Sequence, residues 1–318
     1  MFKHDFPFDP TYGYTEPRLR TIIAPPAPKD FAAFWQTTYS FALATNPDPV
    51  LRPIASPRKG FDVFELVYTG MNGFRVGGWL TRPTDTAPTR GVIISHGYGG
   101  RSAPDLFLPG SPAIAIFPCG RGFHRSAHPE LPSVSTSHVI HGIAHRDTYI
   151  HRFCVADLFS AVSALLALHP DLDGHVDYMG TSFGGGIGAM MLPWEKRIRR
   201  AYLGVPSFGH HPIRLTCPCA GSGESIRQAV SNDPALADTL RYFDSAIAST
   251  FSQTPTMVSC ALFDPAVPPP GQWAVYNALP AAKHLFIHQA EHFDWPGQGA
   301  ELRQLFRQQE QWFDQSTI

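Results

Sequence analysis

Val176-Asp177-Tyr178-Met179-Gly180-Thr181-Ser182-Phe183-Gly184-Gly185-Gly186-Ile187-Gly188 is the stretch that decides the fold. Its first four residues read as a short strand. Glycines follow at once, then a helical pattern near residues 184 to 192. Gly180-Thr181-Ser182-Phe183-Gly184 fits G-x-S-x-G, in which a sharp strand-to-helix turn strains the central residue and pushes its hydroxyl outward. Side chains at the flanking glycines would strike neighbouring backbone. The helix that starts next directs its free N–H groups at any negative charge forming there. The bland alternative is a Gly-rich turn that merely packs helix on strand; strand before and helix after favour the nucleophile turn.

Outward from this turn, short unbroken apolar runs stand at Val92-Ile93-Ile94 and Ala113 to Phe117, and Ala201 to Val205, Met257 to Leu262 and Leu285-Phe286-Ile287 look like further strands. Each reads as a buried strand. Alternation over Phe61, Val63, Glu65 and Val67, then Val76, Trp79 and Leu80 beyond Met71-Asn72-Gly73, predicts an antiparallel pair. Helices are expected where spacing of three and four sets in. One is capped by Asp30 and carries Phe31, Phe34, Trp35, Tyr39 and Leu43; another spans about 149 to 168 and ends before Pro170; a closing one presents Leu302, Leu305, Phe306, Trp312 and Phe313. A long loop, roughly 119 to 147, precedes the second. The alternation of β and α units predicts a single α/β domain over 1–318, with a mostly parallel central sheet and helices on both faces. Residues 1–60 form an N-terminal arm and helix packed on the body, and about 207–250 a helical insert over the sheet's carboxyl edge.

A serine hydroxyl is a poor nucleophile at neutral pH and needs a base, which in turn needs an orienting carboxylate. Asp264 follows the strand ending at Leu262-Phe263, and His292 follows Leu285-Phe286-Ile287. The chain order Ser, Asp, His is the one that accompanies a G-x-S-x-G turn. Both lie just past strands, at the edge where α/β sheets place their sites. Read blandly, Asp264 is a turn former before Pro265 and His292 a loop histidine; His284 and His288 are weaker rivals within the strand. Ser95-His96-Gly97-Tyr98-Gly99-Gly100 follows an earlier central strand, so the backbone N–H groups of Tyr98 and Phe183 are the expected oxyanion donors. The alternative for that loop is a plain flexible glycine turn.

Other signals exclude functions. With 318 residues, 43% hydrophobic and 16% charged, the chain can bury a large core. Its 27 Gly and 31 Pro imply many turns and ordered loops. Lys plus Arg count 25 against 26 Asp plus Glu, a net charge of -1 that supplies no field for nucleic acid or an anionic membrane. The five cysteines are odd in number and scattered, and Cys217 and Cys219 are one residue too close for CxxC; buried free thiols are expected. His138, His141 and His145 have helical spacing, but spacing alone rarely makes a zinc site, so no metal is expected. Gly184 to Gly188 has the wrong register and no acidic partner for a dinucleotide loop. Met1 to Pro7 lacks a basic and apolar leader and no later run would span a bilayer, giving an expected cytoplasmic location.

Taken together, these residues resemble the acetyl xylan esterase and cephalosporin C deacetylase family of α/β-hydrolases over nearly the whole chain. The likeness is carried by Asp30-Phe31 with Phe34-Trp35, His96 to Gly100, Arg121-Gly122, Asp147 with Tyr149 and Arg152, and Asp157. It continues through Gly180 to Gly185, Tyr242-Phe243-Asp244, Asp264 with Pro268-Pro269, Tyr276-Asn277 and His292. The resemblance implies hydrolysis of short acyl esters, chiefly acetyl groups on sugars such as xylo-oligosaccharides, often with cephalosporin deacetylation. It implies a cytoplasmic enzyme without cofactors, commonly a hexameric ring of dimers. It places nucleophile, acid and base at Ser182, Asp264 and His292, with donors at Tyr98 and Phe183. Phe183 stands where the family usually has Gln, Glu291 where it has Gly, and Phe123-His124-Arg125-Ser126 where Gln-Gly follows the Arg-Gly pair. These changes bear on acyl and alcohol preference. Two other readings share the turn. A prolyl-peptidase hydrolase would need a β-propeller for which the chain leaves no room, and a silent binding module would not keep a reactive triad.

Overall fold

The computed structural model describes residues 2–280 and 282–314. Nine strands are formed among them: β1 (Val50–Ile54), β2 (Phe61–Thr69), β3 (Arg75–Pro83), β4 (Arg90–Ile94), β5 (Ala113–Pro118), β6 (Val176–Thr181), β7 (Ile198–Gly204), β8 (Thr256–Ala261) and β9 (Lys283–His288). They make one sheet in the order β1-β2-β3-β5-β4-β6-β7-β8-β9. Pairing is antiparallel from β1 through β3 to β5 and parallel from β5 onward. The order reverses around β4, which lies between β5 and β6, so the loop after β4 opens beside the loop after β6. An α/β sheet binds its ligands at such a point.

Alternate strand residues face opposite layers, which is why the parallel strands carry apolar residues toward both faces. Ile93, Ile116, Tyr178, Leu203 and Val258 pack with helices Phe31–Ala44, Ile150–Leu168, Phe183–Met191 and Pro269–Ala278. Their neighbours Tyr202 and Met257 face the closing helix Gln298–Asp314 through Leu305, Trp312 and Phe313. Helix Ile150–Leu168 is long and apolar enough to cross a bilayer by composition; it is mostly buried inside the protein, and core contact accounts for that apolarity. All five cysteines are free and buried.

Several expectations are corrected. Asp30 makes no side-chain cap for helix Phe31–Ala44; its carboxylate instead accepts from the Tyr242 hydroxyl at 2.6 Å and pairs with Arg146 at 2.7 Å. Leu43 is exposed, and Thr38 and Ala42 complete the buried stripe. On the closing helix Leu302 and Phe306 face outward, while Gln309 is buried. Strand β1 lies inside the stretch read as arm and helix. The final helix of the insert, Ser245–Ser249, is wholly buried in the main core rather than capping the sheet. Arg121 and Asp157 form a bidentate buried ion pair at 2.6 and 2.8 Å, and Arg121 also reaches the Met71 carbonyl.

Candidate active site

Ser182 sits between β6 and helix Phe183–Met191 with φ 56° and ψ -114°. That left-handed φ is costly for a residue with a side chain and persists only where the surroundings enforce it. The surroundings here are tight. A Cβ on Gly180 would fall 2.5 Å from the Gly184 carbonyl oxygen, and one on Gly184 would fall 3.0 Å from that of His96. Ser182 N–H donates to Gly204 O at 2.8 Å, and Ser182 O accepts from Gly186 and Ser207 N–H groups. The hydroxyl is thereby presented to a cavity of about 430 Å³ lined also by Gly97, Tyr98 and His292, with the insert as its far wall.

Asp264 and His292 come together at this cavity. The His292 Nδ1–H donates to Asp264 Oδ2 at 2.9 Å and lies 3.1 Å from Oδ1. Asp264 is fully buried, and its other lone pairs are satisfied by Ala266 and Val267 N–H groups and by Gln272 Nε2, each at 2.9 Å. Gln272 is itself fixed, accepting from Ala261 N–H and donating to Val267 O. Burial pulls the His292 pKa down, but the Asp264 carboxylate, with help from Glu291, more than offsets this and leaves it raised. Among the described residues His292 hydrogen-bonds only Asp264, so Nε2 is left to the cavity shared with Ser182. The Ser182 Oγ to His292 Nε2 bond is not made in this structure; resting sites commonly tighten only around substrate.

The two expected oxyanion donors flank Ser182. Phe183 opens a helix, so its N–H has no intrahelical acceptor. The loop after β4 runs beside the serine, since a Cβ on Gly97 would lie 3.9 Å from Ser182 Cβ. His96 orients that loop. Its Nε2 accepts from Gly120 N–H at 2.8 Å, so Nδ1 carries the proton and donates to Gly97 O at 2.6 Å. Burial holds the His96 pKa down to about 4, keeping this neutral tautomer. The Gly97–Tyr98 peptide is trans, so tying its carbonyl to the His96 ring turns the Tyr98 N–H the opposite way.

Of the histidines weighed as metal ligands, His138 is buried and its Nε2 donates to Arg121 O at 2.8 Å. Its Nδ1 therefore accepts from the Tyr98 hydroxyl at 3.0 Å, and that oxygen accepts from His151 Nε2 at 2.9 Å. Burial lowers the pKa of both imidazoles, so the relay is neutral. His141 and His145 take no part, and no group of metal-ligating side chains exists among the described residues. His288 is held by Glu301 at 2.8 Å, away from Ser182. Gln272 and His96 escaped the sequence reading as positioning groups; for His96 the signal was its place before Gly97, whereas nothing around Gln272 announces it.

A model of the acetyl xylan esterase (AXE1) family matches residues 18–304. Among solved structures, the chain resembles the acetyl xylan esterase from Paenibacillus sp. R4, with TM-score 0.80 and 19% identity over 93% of this chain and 99% of that one. It resembles acetyl xylan esterase 1 from Thermoanaerobacterium sp. JW/SL YS485 with TM-score 0.77 and 19% identity, covering 95% and 99%. The acylaminoacyl peptidase of Pyrococcus horikoshii aligns at TM-score 0.59 and 14% identity, over 80% of this chain and 42% of that one. No curated protein sequence gives a significant match. At such identities the structures establish the α/β-hydrolase fold, and the family match over most of the chain establishes the rest: this protein belongs to the acetyl xylan esterase family of carboxylic ester hydrolases.

Proposed function

We propose that the protein is a serine esterase that removes short acyl groups, chiefly acetyl, from sugar hydroxyls such as those of xylo-oligosaccharides, with Ser182, His292 and Asp264 as nucleophile, base and orienting acid. His292 Nε2 takes the Ser182 proton as Oγ attacks the ester carbonyl, and the carbonyl oxygen's new charge falls to the Tyr98 and Phe183 N–H groups. Collapse expels the alcohol, which leaves with the proton from His292. Water, deprotonated by the same imidazole, then attacks the acyl-enzyme and releases the acid. The observation that carries this reading is the His292–Asp264 hydrogen bond at 2.9 Å on the wall of the cavity that receives Ser182. Asp264 cannot reorient, because three further donors hold it.

The test is Ser182→Ala assayed with p-nitrophenyl acetate and acetylated xylo-oligosaccharides. Unchanged folding with turnover lost to at least ~10³-fold supports the assignment; retained turnover refutes it. Hydrolysis of xylo-oligosaccharide acetates by the unaltered enzyme supports the sugar preference, and hydrolysis of the aryl ester alone counts against it.

A further inference from the structure

The ester chemistry leaves one charge in the cavity unused. Arg214, at the end of the short helix His211–Arg214, lines the same cavity as Ser182 and His292, on the insert side, and is only 8% exposed. Its Nη1 donates to Cys217 O at 3.1 Å and its Nη2 to the Cys219 sulfur at 3.0 Å. Neither partner is a carboxylate. No Asp or Glu lines the cavity, and no carboxylate of the described residues pairs with this guanidinium. Glu224, the nearby acid on helix Gly223–Asn232, is committed to Arg227 at 2.5 Å and to Cys219 N–H. Asp264 is committed to His292.

A guanidinium taken out of water without a counter-ion is unfavourable, and a bound carboxylate relieves that cost with charge-assisted hydrogen bonds. Close packing adds to the case. Arg214 lies so near Gly223 that a Cβ there would sit 1.5 Å from Nη2. The N-terminus of a ten-residue helix therefore meets the cation and reinforces the local positive potential. His211 on the same wall gives no competing acid, since its Nε2 donates to Phe243 O.

We propose that Arg214 is the specificity residue for a carboxylate on the substrate, so that the physiological ester is acidic, bearing its carboxylate on the sugar or on the acyl group. This rests on the reading of Ser182 as nucleophile.

Two substrate pairs test it in the intact enzyme. The first compares an acetylated methyl glucuronoside with the neutral methyl ester of its uronic carboxyl group; the second compares 4-nitrophenyl hemisuccinate with 4-nitrophenyl butyrate. The account predicts a ~10- to 100-fold higher kcat/KM for the acid in one pair, the worth of one charge-assisted bond, and the responding pair tells where the carboxylate sits. Arg214→Met should collapse that ratio and Arg214→Lys should keep part of it. Ratios within about twofold in both pairs, while neutral esters turn over, overturn the proposal, as does a preference that survives Arg214→Met. If Arg214→Met fails to fold, the wild-type ratios and Arg214→Lys still decide. Absence of turnover on every ester, neutral ones included, would count against Ser182 as nucleophile and so against this proposal as well.

Discussion

In the proposed mechanism His292 has to be neutral to accept the Ser182 proton, so its environment sets the acid limb of activity. Burial would lower its pKa and make the imidazole a weaker base, but Asp264 at 2.9 Å overrides burial and raises it. Activity should therefore rise with pH through a group titrating above the ordinary histidine value and be lost as pH falls below it. Asp264→Asn removes the raising charge and leaves the burial. A pH profile of kcat/KM should show the limb move to lower pH, with a drop of ~10⁴ because the imidazole tautomer is no longer fixed. An unmoved limb would mean that some other group titrates. Ser182, Asp264 and His292 could be singled out in sequence because each is marked locally, by a glycine turn or by the end of a strand, and the structure brings them to one cavity. Gln272 could not be, because its value lies in bridging Ala261, Val267 and Asp264, a relation visible only once the chain is folded.

Among the elements, the N-terminal arm has the clearest link to the site. Phe2 lies 5.2 Å from Phe263 and 5.7 Å from Phe293, ring centre to ring centre, and those two rings are 5.0 Å apart. Phe263 precedes Asp264 and Phe293 follows His292. Pro10 O accepts from Asp264 N–H at 3.2 Å, and the Tyr12 hydroxyl reaches Pro218 in the insert. Arm, acid loop, base loop and insert are thus held as one unit. Phe2→Ala should cost about 1 kcal/mol, the scale of an aromatic pair, in a chemical denaturation curve. It should also lower kcat/KM by ~10-fold, short of the ~10²-fold expected for a full ångström of misplacement; an unaltered rate would show that the rings only pack. An arm packed on the body was expected, but its target was not, since half-buried aromatics carry no address. Strand β1 went unread for a related reason: Val50-Leu51-Arg52-Pro53-Ile54 has a proline and little alternation, and only pairing with β2 makes it a strand. Helix Pro269–Ala278 was not foreseen either, although proline is at home in a helix's first turn.

Across the whole molecule, the sheet was the most legible feature, because parallel strands covered on both faces leave unbroken apolar runs. The ion pair that ties the sheet to the core helix was seen only as a pair of family positions. Arg121, in the loop after β5, binds Asp157 in the core helix and Met71 O in the turn between β2 and β3. Asp157→Asn would leave that guanidinium buried without its partner charge, and a urea unfolding midpoint should report a loss of about 3–5 kcal/mol; a loss under 1 kcal/mol would mean the pair is dispensable. In the proposed mechanism all of this architecture serves one hydroxyl at the carboxyl edge of β6. The most direct measurement is reaction with a fluorophosphonate followed by mass-spectrometric mapping of the adduct. The account predicts one phosphonylated residue, Ser182, with label and loss of esterase activity rising together. Full activity in enzyme labelled at Ser182, or inactivation by label on a different residue, would contradict it.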